Sequence, residues 1–131
     1  MPSRAYALAL LLTATAGAAS AHHSLAGYNQ GQQKPLEGAV REFSFTQPHP
    51  YIILEVGGGS PTWRLEMDNL SELRDVGLTR DSIKPGDKVL VAGNPMRDGR
   101  TAMYLRRLDR PSDGLHYEQP GMSPIVSFRK P

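Results

Sequence analysis

The strongest constraint on the fold is a set of five short stretches in which apolar and polar residues alternate with a period of two. Such alternation predicts β-strands that bury one face. Prolines and glycines separate the stretches, as turns require, so the chain is predicted to be mainly β. The stretches are Leu36–Thr46, Tyr51–Val56, Thr62–Met67, Lys88–Gly93 and Thr101–Leu108.

The first predicted strand changes its buried face midway. Leu36 and Val40 share one face, whereas Phe43 and Phe45 follow the opposite phase. An extra residue in one strand produces such a switch, which predicts a β-bulge around Arg41-Glu42. A strand with this bulge bends, so that its two halves can belong to two parts of one sheet.

The alternation stops between the third and fourth strands, at "DNLSELRDVGL". Asn69 is placed as a helix N-cap, Glu72 follows three residues later, and Gly77 is placed to end the helix, which predicts about two helical turns. The sequence therefore predicts a small five-stranded OB-like antiparallel barrel with one short helix between strands 3 and 4. A plain antiparallel meander with the helix across one face is the alternative.

The first 21 residues have the pattern of a secretory signal peptide. Arg4 precedes an apolar run from Ala5 to Ala16, and Ala19-Ser20-Ala21 fits the small-x-small cleavage rule. The apolar run is too short for a permanent membrane span. We expect cleavage after Ala21, localisation in the bacterial periplasm, and no membrane anchor in the mature protein.

The mature chain would then contain 110 of the 131 residues, the size of one small domain. Its predicted parts are an extended N-terminal arm at 22–35, the barrel domain at 36–110 and a flexible, proline-containing tail at 111–131. The tail is assigned from its prolines and its weak periodicity.

Composition excludes several classes of function. The sequence has 15 Lys and Arg against 13 Asp and Glu, and the leader removes only Arg4, so the mature charge is close to neutral. A near-neutral chain is not expected to bind nucleic acid. Trp63 alternates with Leu65 and Met67, which predicts a core role rather than base stacking. The sequence contains no cysteine, so disulfides and thiolate chemistry are excluded.

Three of the four histidines, His22, His23 and His49, form the candidate metal site. Cleavage after Ala21 would give His22 a free amine beside its ring Nδ1, a chelating pair that suits Cu(II). His49, between two prolines, or His23 would supply a further imidazole. Cleavage one residue earlier would instead place a histidine third, which also suits copper or nickel. The alternative is that the histidine pair extends into solvent and His49 hydrogen-bonds within its own turn.

No catalytic arrangement is evident in the sequence. Ser24 follows two histidines, but a nucleophile elbow is absent. Glu55 and Glu66 lie on the two strands of one predicted hairpin, where solvated ion pairs are the expected role. The "GGGS" turn lacks the lysine of a phosphate-binding loop. We therefore predict no enzymatic activity and no catalytic residues.

The chain resembles the domain-of-unknown-function family 6152. The resemblance rests on "HHS", "LEGAV", "QPHPYIILEV", "GLTRDSIKPGDKVLVAG" and "RDG", and it covers roughly Ala21 to Leu108. It implies a small exported bacterial protein with one compact β domain and no assigned activity. Gln47 stands where the family pattern usually carries asparagine, which leaves His49 in place.

These observations predict a non-enzymatic exported binding module for an unknown small ligand or periplasmic protein. The alternative is a copper-binding protein that uses His22 with His49 or His23. A third hypothesis is an anionic partner bound through Arg106 and Arg107, whose binding would weaken with salt.

Overall fold

The computed structural model describes residues 25–129; the predicted leader, His22 and His23 lie outside this range. A short 3-10 turn at Leu25–Gly27 precedes seven strands and one helix. The strands are β1 (Lys34–Ser44), β2 (Tyr51–Val56), β3 (Thr62–Glu66), β4 (Lys88–Pro95), β5 (Ala102–Arg110), β6 (Leu115–Glu118) and β7 (Ile125–Phe128). The helix α1 (Leu70–Asp75) lies between β3 and β4.

The first five strands close into a barrel. Antiparallel pairs join β1 to β2, β2 to β3, β1 to β4, and β4 to β5. The parallel pair of β3 and β5 completes the ring. The prediction of a five-stranded OB-like barrel with a helix between strands 3 and 4 is confirmed. The barrel is mixed rather than wholly antiparallel, because the closing pair runs in parallel.

The bend of β1 allows the barrel to close. Its first half, Lys34 to Ala39, pairs with β4, and its second half, Gly38 to Ser44, pairs with β2. The register with β2 shifts between Val40 and Glu42, where the sequence predicts the bulge.

The helix has a capped N-terminus and contributes Leu73 to the core. The side chain of Asn69 accepts a hydrogen bond from the Glu72 backbone N–H at 3.0 Å, which confirms the predicted N-cap. Leu70 and Leu73 are buried, and Gly77 follows at φ +92°, a conformation that favours glycine at a helix end. The core contains Val40, Ile52, Leu54, Leu65, Met67, Leu73, Leu78, Ile83, Val89, Val91, Met103, Leu105, Leu108, Leu115 and Tyr117.

The segment after Arg110 differs from the predicted flexible tail. It forms β6, which pairs with β5, and β7, which pairs with β6. Leu115 and Tyr117 are each only 1% exposed, so this segment contributes to the core. Pro111, Pro120 and Pro124 lie in the connections rather than in the strands, where they leave the strand hydrogen bonds intact.

The described part of the N-terminal arm is attached to the barrel. Tyr28 forms a β-bridge with Met96, and the Asn29 N–H donates to the Pro95 carbonyl at 2.8 Å. Lys34 and Pro35 already belong to β1. Within residues 25–129, no helix has the length and apolar character needed to cross a membrane.

Candidate functional site

Asp68, which lies between β3 and the Asn69 helix cap, has a buried carboxylate. Asp68 is 6% exposed and accepts hydrogen bonds from three side chains. The hydroxyl of Tyr104 donates at 2.5 Å, the hydroxyl of Tyr117 at 3.0 Å, and the Gln119 amide at 2.9 and 3.0 Å. These donors come from β5, from β6 and from the residue after β6, so Asp68 joins the barrel to the C-terminal strands.

Neutral donors hold this carboxylate. Asp68 forms no ion pair with any residue in the range 25–129. Burial, and then the hydrogen bond to Asp68, raises the pKa of Tyr104 well above its usual value of 10.0. Burial, followed by the charge of Asp68, likewise raises the pKa of Tyr117. Both tyrosines therefore remain protonated donors at neutral pH.

Gln119 connects the Asp68 network to Arg106 on β5. Arg106 donates from Nε to the Asn94 side-chain oxygen at 2.7 Å and from Nη1 to the backbone and side-chain oxygens of Gln119 at 3.3 and 3.4 Å. Its guanidinium also lies 4.9 Å from the centre of the Tyr104 ring. These contacts hold the guanidinium in one orientation.

The guanidinium borders a depression of about 320 Å³, which we call the arginine pocket. Three parts of the chain form its walls: the N-terminal arm, strands β4 and β5, and the segment from β6 into the following loop. The Asn94 amide donates to the Gln32 carbonyl at 2.8 Å and so holds the arm against the pocket. The lining residues are Gln30, Gln33, Asn94, Arg106, Arg107, Glu118, Gln119, Pro120 and Gly121.

The structure separates the basic residues that the sequence groups together. Arg107 forms an ion pair with Asp109 at 3.2 Å. Arg110 pairs with Asp87 and Asp113, each at 2.7 Å. Arg106 has no carboxylate partner in the described part of the chain; its acceptors are neutral amide oxygens. The charge of Arg106 is therefore the one in this group that remains uncompensated by an adjacent carboxylate.

Of the candidate metal ligands, the structure describes His49. Its ring Nδ1 lies 3.2 Å from the Met67 carbonyl, just after β3. His22 and His23 lie outside the described residues, so their distances to His49 are not defined. Residues 25–129 contain no group of three or more His, Cys, Asp or Glu arranged to hold a metal ion. A copper site therefore stays a prediction.

The two carboxylates of the predicted hairpin lie apart in the structure. Glu55 pairs with Thr62 and Glu66 with Tyr51 along the hairpin, so the two carboxylates lie at opposite ends of it. Glu66 accepts a hydrogen bond from the Tyr28 hydroxyl at 2.5 Å.

His116 is a buried histidine that the sequence analysis did not consider. It has Asp109 2.6 Å from Nδ1 and Glu118 3.3 Å from Nε2. A carboxylate thus lies on each side of the ring, and within residues 25–129 neither nitrogen contacts a hydroxyl nucleophile of the kind that a catalytic triad uses.

The comparisons with known proteins place the chain in a family. The family described as "Family of unknown function (DUF6152)" matches residues 9–104, well over half of the chain. The chain belongs to this family. The resemblance seen in the sequence is thereby confirmed, and the description carries no activity. No curated protein and no solved structure matches the chain.

The sequence analysis missed most of the site. Arg106 and Arg107 were named as a basic cluster, whereas Asp68, Asn94 and Gln119 carried no recognisable pattern. One usable signal was present: Leu115 and Tyr117 alternate with polar residues in "LHYE", a strand pattern too short to stand out.

Proposed function

We propose that this protein is an exported, non-enzymatic binding module that acts in the bacterial periplasm and holds a small polar ligand in the arginine pocket. The observation that carries the proposal is the pocket itself, a concave polar site with an oriented guanidinium at its wall. Ligand sites in proteins are concave and use a small number of placed polar groups to orient the ligand.

Preorganisation supports a binding role. Gln119 is fixed by four groups: its amide donates to Asp68 and to the Met122 carbonyl at 2.6 Å, and its side-chain oxygen accepts from Gly121 at 2.5 Å and from Arg106. A ligand that meets groups already held in place loses less free energy to ordering them.

Export is supported by the leader at residues 1–21. We expect the mature protein to begin at His22. Mass spectrometry of protein recovered from periplasmic and cytoplasmic fractions of expressing cells tests this directly. A periplasmic product that starts at His22 is expected, and a cytoplasmic product that retains Met1 would contradict export.

Ligand binding is tested by nuclear magnetic resonance with a panel of small anionic, cationic and neutral polar compounds. We expect at least one compound to shift the amide signals of Asn94, Gln119 and Gly121. The matched variants are Arg106→Gln and Arg80→Gln, because each removes one arginine charge and only Arg106 lines the pocket. Shifts confined to surfaces far from the pocket, or an identical response in both variants, would contradict the assignment of the site.

A second candidate function is copper binding. The arm and His49 meet the barrel at neighbouring residues: the Tyr28 hydroxyl contacts Glu66, and His49 Nδ1 contacts the carbonyl of Met67. A carbonyl can only accept, so Nδ1 carries the proton and the lone pair belongs to Nε2, an arrangement common for metal-binding histidines. His22 lies three positions before Leu25, the first residue of the 3-10 turn, and three residues span up to about 10 Å when extended.

Calorimetric titration of the processed protein with Cu(II) tests this second candidate. The same titration is made on His49→Ala and on a protein with one extra alanine before His22. Tight one-to-one binding that both changes abolish would establish a copper site formed by His22 and His49. Binding that depends on the free N-terminus but survives His49→Ala would leave His23 as the second imidazole. Weak binding that survives both changes would reject the copper function.

A further inference from the structure

The inference that follows deepens the binding function proposed above and rests on it. We infer that the ligand of the arginine pocket is a small monoanion that presents a carboxylate to the outer edge of the Arg106 guanidinium.

The free edge of Arg106 defines where the anion binds. Nε and Nη1 are used by Asn94 and Gln119, whereas Nη2 makes no hydrogen bond within residues 25–129. Every buried side-chain nitrogen and oxygen of the described residues has a hydrogen-bond partner. The unbonded Nη2 is therefore accessible, and Arg106 is one of the residues that line the arginine pocket. Guanidinium groups bind carboxylates through such an edge with short, charge-assisted hydrogen bonds.

The electrostatic balance favours an anion over a neutral ligand. Arg106 is half-buried, and its three acceptors are neutral oxygens. A partly desolvated cation gains more from a carboxylate than from another amide, because the local dielectric constant is lower than that of water. Arg107 has less to gain from an anionic ligand, since it already forms an ion pair with Asp109.

Glu118 limits the charge that the ligand can carry. Its carboxylate lines the same pocket and lies 3.3 Å from the Nε2 atom of His116. Glu118 would repel a second negative charge on the ligand, so the dianionic form of phosphate is disfavoured. The exposed amides of Gln30 and Gln33 offer additional neutral donors to a carboxylate.

The test compares carboxylates with their own amides on the wild-type protein. The probes are acetate compared with acetamide, lactate compared with lactamide, and inorganic phosphate. During each titration, nuclear magnetic resonance follows the Nε–H signal of Arg106 and the amide signals of Gln119 and Gly121. We expect the carboxylates to shift these signals and to bind at least about tenfold more tightly than the amides, as charge-assisted hydrogen bonds imply. Phosphate is expected to bind more weakly than acetate.

Two variants separate charge from geometry. Arg106→Gln should remove the preference for carboxylate over amide, and Arg106→Lys should retain part of it, because lysine keeps the charge without the planar fork. Arg80→Gln is the matched control: Arg80 is exposed and is not among the pocket-lining residues, so its loss should change the affinity for acetate by no more than about threefold.

The outcomes separate this inference from the function on which it rests. Equal or tighter binding of the amides at the same signals would overturn the monoanion assignment and leave the binding function standing. Phosphate bound more tightly than acetate would also overturn it. Absence of any response at the pocket, from the carboxylates, the amides and a wider neutral and cationic panel, would overturn the binding function itself.

Discussion

Replacement of Asp68 by alanine is the sharpest test of how this domain is held together. The carboxylate is 6% exposed and satisfies the hydroxyls of Tyr104 and Tyr117 and the amide of Gln119. All three partners are themselves at most 8% exposed. Alanine would leave the two hydroxyls and one N–H of the Gln119 amide buried without an acceptor, while the other N–H keeps the Met122 carbonyl, and it would weaken the attachment of the C-terminal strands to the barrel.

The expected loss follows from those three donors. A buried donor left without a partner costs about 1–3 kcal/mol. Part of that cost is offset, because the buried carboxylate no longer has to be desolvated. We expect a net decrease of about 3–5 kcal/mol in the free energy of unfolding. That is a large fraction of the roughly 5–15 kcal/mol typical of whole domains.

Urea denaturation at pH 7, followed by the fluorescence of Trp63, measures the change. Trp63 is the single tryptophan of the sequence and packs against the core. Asp75→Ala is the matched control: it removes an exposed aspartate at the end of α1 and should change stability by less than about 0.5 kcal/mol. A loss below about 1 kcal/mol for Asp68→Ala would refute the view that this network joins the barrel to the C-terminal strands.

Three further predictions follow from the same packing. The pKa values of Tyr104 and Tyr117 are raised in the folded state, so the folded protein keeps protons that the unfolded chain loses near pH 10. The free energy of unfolding, measured by urea denaturation, should therefore hold below pH 10 and fall above it by up to about 1.4 kcal/mol per pH unit for each tyrosine. A Tyr→Phe change at either position should flatten that fall. A chain that ends at Arg110 loses the buried side chains of β6 and two hydrogen-bond donors to Asp68. Its free energy of unfolding, measured by denaturation followed by circular dichroism, should be about 3–6 kcal/mol lower than that of the full chain. A truncated protein as stable as the full chain would contradict the observed fold. In Gly93→Ala the new Cβ would lie 2.4 Å from the Tyr104 carbonyl oxygen, so we expect thermal unfolding to show a loss of about 1–3 kcal/mol in the free energy of unfolding. Gly31→Ala, whose new Cβ would have its closest contact at 3.5 Å, should be neutral.

Local patterns in the sequence were sufficient for the barrel. The alternation of β2 and β3, the Asn69 cap and the bulge between Val40 and Glu42 all appear where the sequence predicts them. Each depends on residues within a few positions of one another, and such short-range preferences can be read directly from a sequence.

The C-terminal segment shows where this reading fails. The segment 111–131 contains four prolines and two four-residue strands, a composition that resembles a disordered tail. What orders it is the fit of Leu115 and Tyr117 into a core formed by earlier strands, together with the bonds to Asp68. That stabilisation comes from distant residues and leaves little local trace.

By itself, the sequence determined a leader pattern, the order of strands and helix, the bend that closes a barrel, and membership of a family. Only the tertiary structure decided the candidate site. Asp68, Arg106 and Gln119 are separated by 38 and 13 positions in the chain, and strand closure and register bring them together. A sequence states which side chains exist, but their convergence depends on how each strand pairs with its neighbours. The hydrogen-bond partners and the orientation of Arg106 therefore follow from the fold rather than from any motif.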